Sequence, residues 1–200
     1  MNKFSKVLPT FKKNYKPIPL EAFGKEPYKT LVSVLLSSRT LDSTTSKAAT
    51  RLFEKAPTLN KLGQLKTVSI QKLIYPVGFY KTKAKQLTKL ARQIHSEFEG
   101  KIPNTRDNLM KLPGVGRKTA NLVLNRAFAK PAIAVDTHVH KISNLLGWVK
   151  TKTPEQTEKR LEKILPKKYW SDINRLFVSM GQQYRNQDKL KEFLRRNKLI

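Results

Sequence analysis

Two ionisable residues near the middle of the chain have side chains and settings suited to chemistry on a sugar. Lys118 follows the run LPGVG at residues 112–116, and Asp136 precedes an apolar pattern that starts at Val139. A neutral lysine amine is a nucleophile that forms Schiff bases, and a fixed carboxylate stabilises positive charge on a nearby carbon. Such a pair could break a glycosidic bond, because the carboxylate would support the cationic sugar while the amine captures its anomeric carbon.

Helix starts are predicted to position both residues. Apolar residues recur at helical spacing after Gly116, at Ala120, Val123, Leu124, Ala127 and Phe128. A buried helix is therefore expected there, with Lys118 in its first turn and Asn121 and Asn125 on its polar face. The helix dipole and partial desolvation would both favour the neutral amine in that first turn. Asp136 stands where a helix N-cap is expected.

The run at residues 112–116 joins two predicted helices. Its glycines, Gly114 and Gly116, permit backbone conformations and close approaches that side chains would block. The first N–H groups of the helix that follows have no partner within it and lie at the positive end of its dipole. With Arg117 and Lys118 beside it, this loop is predicted to bind an anion.

The overall charge indicates which anion. The 200 residues include 41 Lys and Arg against 14 Asp and Glu, a net charge of +27. Such a surface attracts nucleic acid first and an acidic membrane face second. The hydrophobic fraction of 38% is enough for a core, which excludes disorder throughout. With no apolar run of signal-peptide or transmembrane length, we expect a soluble, intracellular protein.

Apolar residues recur at helical spacing in almost every segment, which predicts an all-α fold. One helix is expected to be capped by Asp42, Ser43 or a neighbouring hydroxyl, and Thr153, Pro154 and Gln156 form a capping box for another. The chain has no cysteine, so disulfides, a cysteine nucleophile and metal sites built on thiolates are excluded. No metal site is predicted at His138 and His140 either, because residues two apart on a helix point about 200° from each other.

The motifs LPGVGRKTANLVLN and AVDTHV resemble those of the helix-hairpin-helix DNA glycosylases with a Gly/Pro-rich loop and catalytic aspartate, the HhH-GPD superfamily. The likeness is to the endonuclease III branch, and LLSSRTLD at residues 35–42 and VGFYKTKA at residues 77–84 extend it. This resemblance implies two helical domains with the active site between them. The first would be a six-helix domain at residues 19–131, with the hairpin at about 105–128, and the second would combine residues 1–18 and 132–200.

The resemblance also assigns roles to residues. Lys118 would be the Schiff-base lysine, Asp136 the catalytic aspartate, and His138 a residue that shapes the pocket. Phe79 would wedge into the duplex when the damaged base is flipped out, and Arg39 falls where the branch commonly has a glutamine that fills the gap. The residues expected to bind DNA are Leu112, Gly114, Val115, Gly116 and Arg117 of the hairpin, together with Arg39, Phe79, Lys81 and Lys83.

The implied activity is base-excision repair: a DNA glycosylase with AP lyase activity that removes oxidised pyrimidines from double-stranded DNA. Lys118 would displace the base, form an imine, and cut the strand 3′ to the lesion by β-elimination. Two alternatives are a glycosylase for uracil or thymine opposite guanine, and a non-catalytic helix-hairpin-helix DNA-binding protein. We expect a monomer whose partner is duplex DNA with a damaged base or abasic site, with no membrane partner, located in the cytoplasm at the nucleoid, or in the nucleus of a eukaryote.

The C-terminus departs from the family pattern. Relatives of this branch usually carry four cysteines that hold a 4Fe–4S cluster, whereas this chain has RNQDKLKEFLRRNKLI after SMGQQY. Without thiolate ligands no cluster is expected, and no other cofactor is predicted. The basic tail and the packing of residues 170–180 are expected to replace the structural role of the cluster.

Overall fold

The computed structural model describes residues 4–18, 21, 23 and 25–200. Within these residues it contains twelve α-helices, a 3-10 helix at Lys167–Tyr169 and no β-strand, so the all-α prediction is confirmed. None of the described helices has the length and apolar character needed to cross a lipid bilayer. The helices are α1 (Phe4–Lys13), α2 (Pro27–Ser37), α3 (Asp42–Lys55), α4 (Leu59–Gln64), α5 (Thr67–Ile74), α6 (Tyr80–Glu97), α7 (Arg106–Met110), α8 (Arg117–Phe128), α9 (Thr137–Leu145), α10 (Pro154–Ile164), α11 (Trp170–Gln183) and α12 (Gln187–Arg196).

The chain divides into two compact units, one of Pro19–Lys130 and one of Met1–Ile18 with Pro131–Ile200. Residues 1–3 and 19, at ends of the expected domain ranges, lie outside the described residues, as do residues 20, 22 and 24. The described part of the Pro19–Lys130 unit holds α2 to α8. These are seven helices where the resemblance implied six, and two of them, α4 and α7, have only six and five residues.

Helix α2 is the central element of the Pro19–Lys130 unit. Leu31, Val32 and Leu36 are fully buried, and α2 packs against α3, α6 and α8. The expected cap of α3 is wrong by one or two residues: Leu41 is the N-cap and makes no side-chain cap bond, so Asp42 lies inside the first turn. There its carboxylate faces the positive end of the helix dipole.

The second unit is built on aromatic packing between its two sequence segments. Helix α1 packs against α11, where the ring centroids of Phe11 and Phe177 lie 5.1 Å apart. Helix α12 adds Phe193, whose centroid is 6.4 Å from that of Phe11, and the buried Leu194. The C-terminal segment is therefore held by an apolar face, although its sequence is strongly basic.

The predicted capping box of α10 forms in a shifted version. Thr153 Oγ1 accepts a hydrogen bond from Gln156 N at 3.3 Å, as expected for an N-cap. The reciprocal bond is donated by Lys152 N to Gln156 Oε1 at 2.9 Å, one residue before the cap. Both bonds still fix the start of the helix.

Candidate active site

The predicted hairpin is formed by α7, the turn at residues 111–116 and α8. Leu112 and Val115 are buried and anchor the turn, and Val115 N donates to Leu112 O at 3.1 Å. Gly114 has φ +79°, a left-handed conformation that residues with a Cβ rarely adopt. Gly116 is the exposed N-cap of α8, and a Cβ there would have open space around it. The fold requires glycine at position 114 but not at position 116.

Lys118 is exposed in the first turn of α8. The partial desolvation expected from the sequence is therefore wrong for this side chain, which is exposed among the described residues. The placement at the positive end of the helix is as predicted. The N–H groups at the start of α8 lie beside it and have no partners within the helix, so these N–H groups and the lysine amine could bind the same anionic ligand.

Side chains that the sequence reasoning missed hold the hairpin in shape. Arg106 Nε donates to Asn121 Oδ1 at 2.8 Å and thereby ties the start of α7 to α8. Asn121 is fully buried, so its predicted position on the polar face is wrong. From α6, the Gln86 side chain packs over Gly114, where a Cβ would lie 2.8 Å from Gln86 Oε1.

The contrast between the two glycines gives a prediction. Gly114→Ala should lower the free energy of unfolding by about 1–2 kcal/mol, because alanine must adopt the left-handed conformation. Gly116→Ala should cost less than about 1 kcal/mol, yet weaken DNA binding about tenfold if a phosphate approaches this backbone. Urea unfolding and fluorescence anisotropy on the same preparations measure both quantities. Equal DNA affinity for Gly116→Ala and the unsubstituted protein would contradict the phosphate site.

The loops after α2 and before α6 bring Arg39 and Phe79 together. The Arg39 guanidinium carbon lies 5.5 Å from the centroid of the Phe79 ring, a cation–π distance. Both residues are exposed, Phe79 to 61%. Both also have positive φ, 52° and 58°. The structure thus presents an aromatic ring and a cation side by side at the surface.

The two lysines of α6 that were predicted to bind DNA differ in placement. Lys81 is exposed, whereas Lys83 is buried and its Nζ donates to Leu36 O at 2.8 Å, Ser38 O at 2.5 Å and Thr40 Oγ1 at 3.3 Å. Burial lowers the pKa of Lys83 to about 8, while the three acceptors favour its charged form. Since these acceptors use all three ammonium protons, the geometry argues against the phosphate contact predicted for Lys83.

Asp136 lies in the other unit, as the N-cap of α9. Its Oδ1 accepts a hydrogen bond from Val139 N at 2.8 Å, and the side chain is partly exposed. The carboxylate therefore stands at the positive end of the α9 dipole, which stabilises its charge. The cap geometry predicted from the sequence is present.

Helix α11 fixes the backbone around Asp136. Asn174 Nδ2 donates to Ala134 O at 3.0 Å in the buried segment just before the cap. His138, in the first turn of α9, packs directly over Gly181, where a Cβ would lie 2.0 Å from His138 Nδ1. Any side chain at 181 would displace the imidazole. Neither Asn174 nor Gly181 carried a signal in the sequence, because both act across helices distant in the chain.

The residues of the C-terminal segment do not fit a 4Fe–4S cluster. Such a cluster needs thiolate ligands, and the sequence has no cysteine. Among the described residues there is also no group of three His, Cys, Asp or Glu side chains that could hold a metal ion.

Comparisons with known proteins agree with the helix-hairpin-helix geometry. Residues 32–167 match the HhH-GPD superfamily of base excision DNA repair proteins. Endonuclease III of Thermotoga maritima is 47% identical over 158 residues, which cover 79% of this chain and 74% of that protein. Endonuclease III-like protein 1 of Gallus gallus is 43% identical over 159 residues, covering 78% of this chain but 57% of that protein.

Two solved structures of endonuclease III bound to DNA are also similar to this chain. A trapped endonuclease III–DNA covalent intermediate matches with a TM-score of 0.82 and 36% identity, over 90% of this chain and 84% of that one. A non-covalent endonuclease III–DNA complex matches with a TM-score of 0.83 and 34% identity, over 94% and 89% of the respective chains.

Fold, hairpin and sequence identity define a class, the helix-hairpin-helix enzymes of base excision DNA repair. The chain belongs to the HhH-GPD superfamily, and the resemblance to endonuclease III is confirmed. It is accordingly a DNA glycosylase/AP lyase.

Proposed function

We propose that this enzyme removes oxidised pyrimidines from duplex DNA and then cleaves the strand through an imine on Lys118. The observation that carries the proposal is the position of Lys118, an exposed amine one residue past the start of α8 and directly after the hairpin. A strand whose phosphate is held by the hairpin would have its sugar within reach of this amine. A protein that only binds DNA would not need an amine within reach of the sugar.

The reaction uses Lys118 as nucleophile. Its Nζ attacks C1′ of the damaged nucleotide, the bond from C1′ to the base nitrogen breaks, and the base leaves with the bonding electrons and takes up a proton. The C1′–O4′ bond then breaks, O4′ takes up the remaining proton of the attacking nitrogen, and an imine joins Lys118 to C1′. A proton then leaves C2′ and the 3′ phosphate departs as an anion, which cuts the strand.

Asp136 acts on the charge that develops in this reaction. Its carboxylate, fixed by Val139 N, would stabilise the cationic sugar as the base departs. His138 would shape the pocket for the extruded base from its seat over Gly181. The proposal requires Lys118 and Asp136 to face the same nucleotide.

The remaining predicted contacts hold the duplex. Backbone N–H groups at Gly114 and Gly116 would bind a phosphate, with Arg117 adding charge. Phe79 would wedge into the duplex as the damaged base is flipped out, and Arg39 would fill the gap that the base leaves. Lys81, exposed on α6, would contact the backbone of the duplex.

A panel of duplexes tests the lesion class. Rates on thymine glycol, on uracil or thymine opposite guanine, and on an abasic site are measured under single-turnover conditions. We expect the single-turnover rate on thymine glycol to be higher than the rate on either mismatch. A preference for the mismatches would support the alternative glycosylase, and failure to nick the abasic duplex would support the non-catalytic alternative.

We also infer that the enzyme is a monomer that works without an iron–sulfur cluster. Its location would be the cytoplasm at the nucleoid or, in a eukaryote, the nucleus. The apolar face of α12, with Phe193 and Leu194 in the core, supports a C-terminal segment that folds without metal. Protein purified from iron-replete cells should show no iron–sulfur absorbance, and treatment with a chelator should leave its lyase rate unchanged. Stoichiometric iron in the purified protein would overturn this inference.

A further inference from the structure

The loop after α2 and the loop before α6 are joined by a hydrogen-bond network centred on Thr40. Thr40 Oγ1 accepts from Gly78 N at 3.1 Å and from Lys83 Nζ at 3.3 Å. The same hydroxyl donates to Ser38 O at 3.2 Å. A hydroxyl has one donor and two acceptor sites, so these bonds use its full capacity and connect both loops through one side chain.

Lys83 extends this network to the end of α2. Its ammonium also donates to Leu36 O and Ser38 O, at 2.8 and 2.5 Å. The last carbonyl groups of a helix have no partners within it and form the negative end of its dipole. From its position on α6, Lys83 therefore caps α2 and fixes the direction in which the chain leaves that helix.

The two loops carry strained residues in close contact. Arg39 and Phe79 both have a left-handed backbone, which persists only where the surrounding structure enforces it. At Gly78 a Cβ would lie 2.4 Å from Arg39 O, so the backbones touch without room for a side chain. The arginine and the aromatic ring are thereby held 5.5 Å apart.

We infer that Lys83 is a positioning residue that locks these two loops together, so that Arg39 and Phe79 enter the duplex as one preassembled unit. This inference rests on the proposed function, in which Phe79 wedges into the duplex and Arg39 fills the gap left by the extruded base. Lys83 does not touch DNA. It acts through Thr40 and the carbonyl groups at the end of α2.

The consequence is a separation between two steps of the reaction. Insertion into a duplex depends on the arrangement of the two loops, because a mobile pair must be ordered at each binding event. Single-stranded DNA has no base-pair gap, so attack by Lys118 on an abasic site there does not depend on Arg39 and Phe79. Loss of Lys83 should therefore impair duplex recognition and spare the imine chemistry.

The variant Lys83→Met tests this, since methionine is of similar length and donates no hydrogen bond. On thymine glycol duplexes the KM should rise between about 10- and 100-fold. The ratio of kcat/KM values for guanine and adenine opposite the lesion should move toward one. Borohydride trapping on a single-stranded abasic oligonucleotide should stay within about twofold of the unsubstituted enzyme.

A matched control is Lys81→Met, on the same helix but exposed. It should weaken binding to all duplexes alike and reduce the dependence of log affinity on log salt by about one. The ratio of kcat/KM values for guanine and adenine opposite the lesion should not change. The two lysines lie two residues apart, so the comparison separates loss of charge from loss of positioning.

A second variant, Thr40→Val, removes the shared hydroxyl and leaves the carbonyl acceptors of Lys83 in place. It should shift KM and the opposite-base ratio in the same direction, and it carries the test if Lys83→Met does not fold. The inference is overturned if the folded variants keep the duplex KM and the ratio, or if duplex and single-stranded rates fall in equal proportion. If the unsubstituted enzyme traps no adduct on an abasic duplex, it is the proposed function that fails.

Discussion

The variant Lys118→Ala is expected to form no covalent adduct with abasic-site DNA in the presence of borohydride. Imine formation needs a primary amine at the sugar, and in the proposed reaction Lys118 supplies it. Cleavage of the abasic duplex should fall by at least about 10³-fold, as expected when a nucleophile is removed. Gel electrophoresis of the trapped complex and single-turnover cleavage rates measure the two effects.

Lys118→Arg separates the role of the amine from that of its charge. Arginine keeps a cation at the start of α8, but its guanidinium stays protonated and forms no imine. This variant should bind DNA nearly as well as the unsubstituted enzyme and still give no adduct. Because Lys118 is exposed, both variants should change the free energy of unfolding by less than about 0.5 kcal/mol. An undiminished adduct in Lys118→Ala would show that another amine is the nucleophile.

The elements around Lys118 and Asp136 could be predicted because their signals are local. Apolar spacing after Gly116 predicts α8, and an aspartate ahead of an apolar pattern predicts the N-cap of α9; both are present. Capping is decided by groups within three residues of each other. The start of α3 has no such signal, because its N-cap is Leu41, whose side chain makes no cap bond.

The supporting residues could not be assigned in the same way, because their partners are distant in sequence. Asn174 and Ala134 are 40 residues apart. Lys83 does carry a sequence signal: it lies four and seven residues before Leu87 and Leu90, on the buried face of α6. Helical register thus distinguishes Lys83 from the exposed Lys81, although motif resemblance treats both as basic residues near DNA.

The second large effect is expected at Asp136. Asp136→Asn should lower the rate of base removal by roughly 10²–10³-fold, the loss seen when a group that stabilises transition-state charge is removed. Binding to a duplex with an uncleavable abasic analogue should be kept, since the lost carboxylate is no attraction for a polyanion. Single-turnover kinetics and anisotropy with the same duplex give both quantities.

The cap role of Asp136 must be separated from its charge, because Oδ1 also accepts from Val139 N. Asparagine and serine are good N-caps, so Asp136→Asn and Asp136→Ser should keep stability within about 0.5 kcal/mol while both lose turnover. Asp136→Ala should lose about 1 kcal/mol of stability as well. If asparagine or serine kept full turnover, the capping bond and not the carboxylate charge would account for the need for this residue.

A double variant connects the two predictions. When two residues act on one transition state, removing the second costs little once the first is gone, so their effects do not multiply. Lys118→Ala combined with Asp136→Asn should therefore be scarcely slower than Lys118→Ala alone. Losses that multiply would mean that the amine and the carboxylate act in separate steps. Rate measurements on the four enzymes thus test directly whether Lys118 and Asp136 act in the same step.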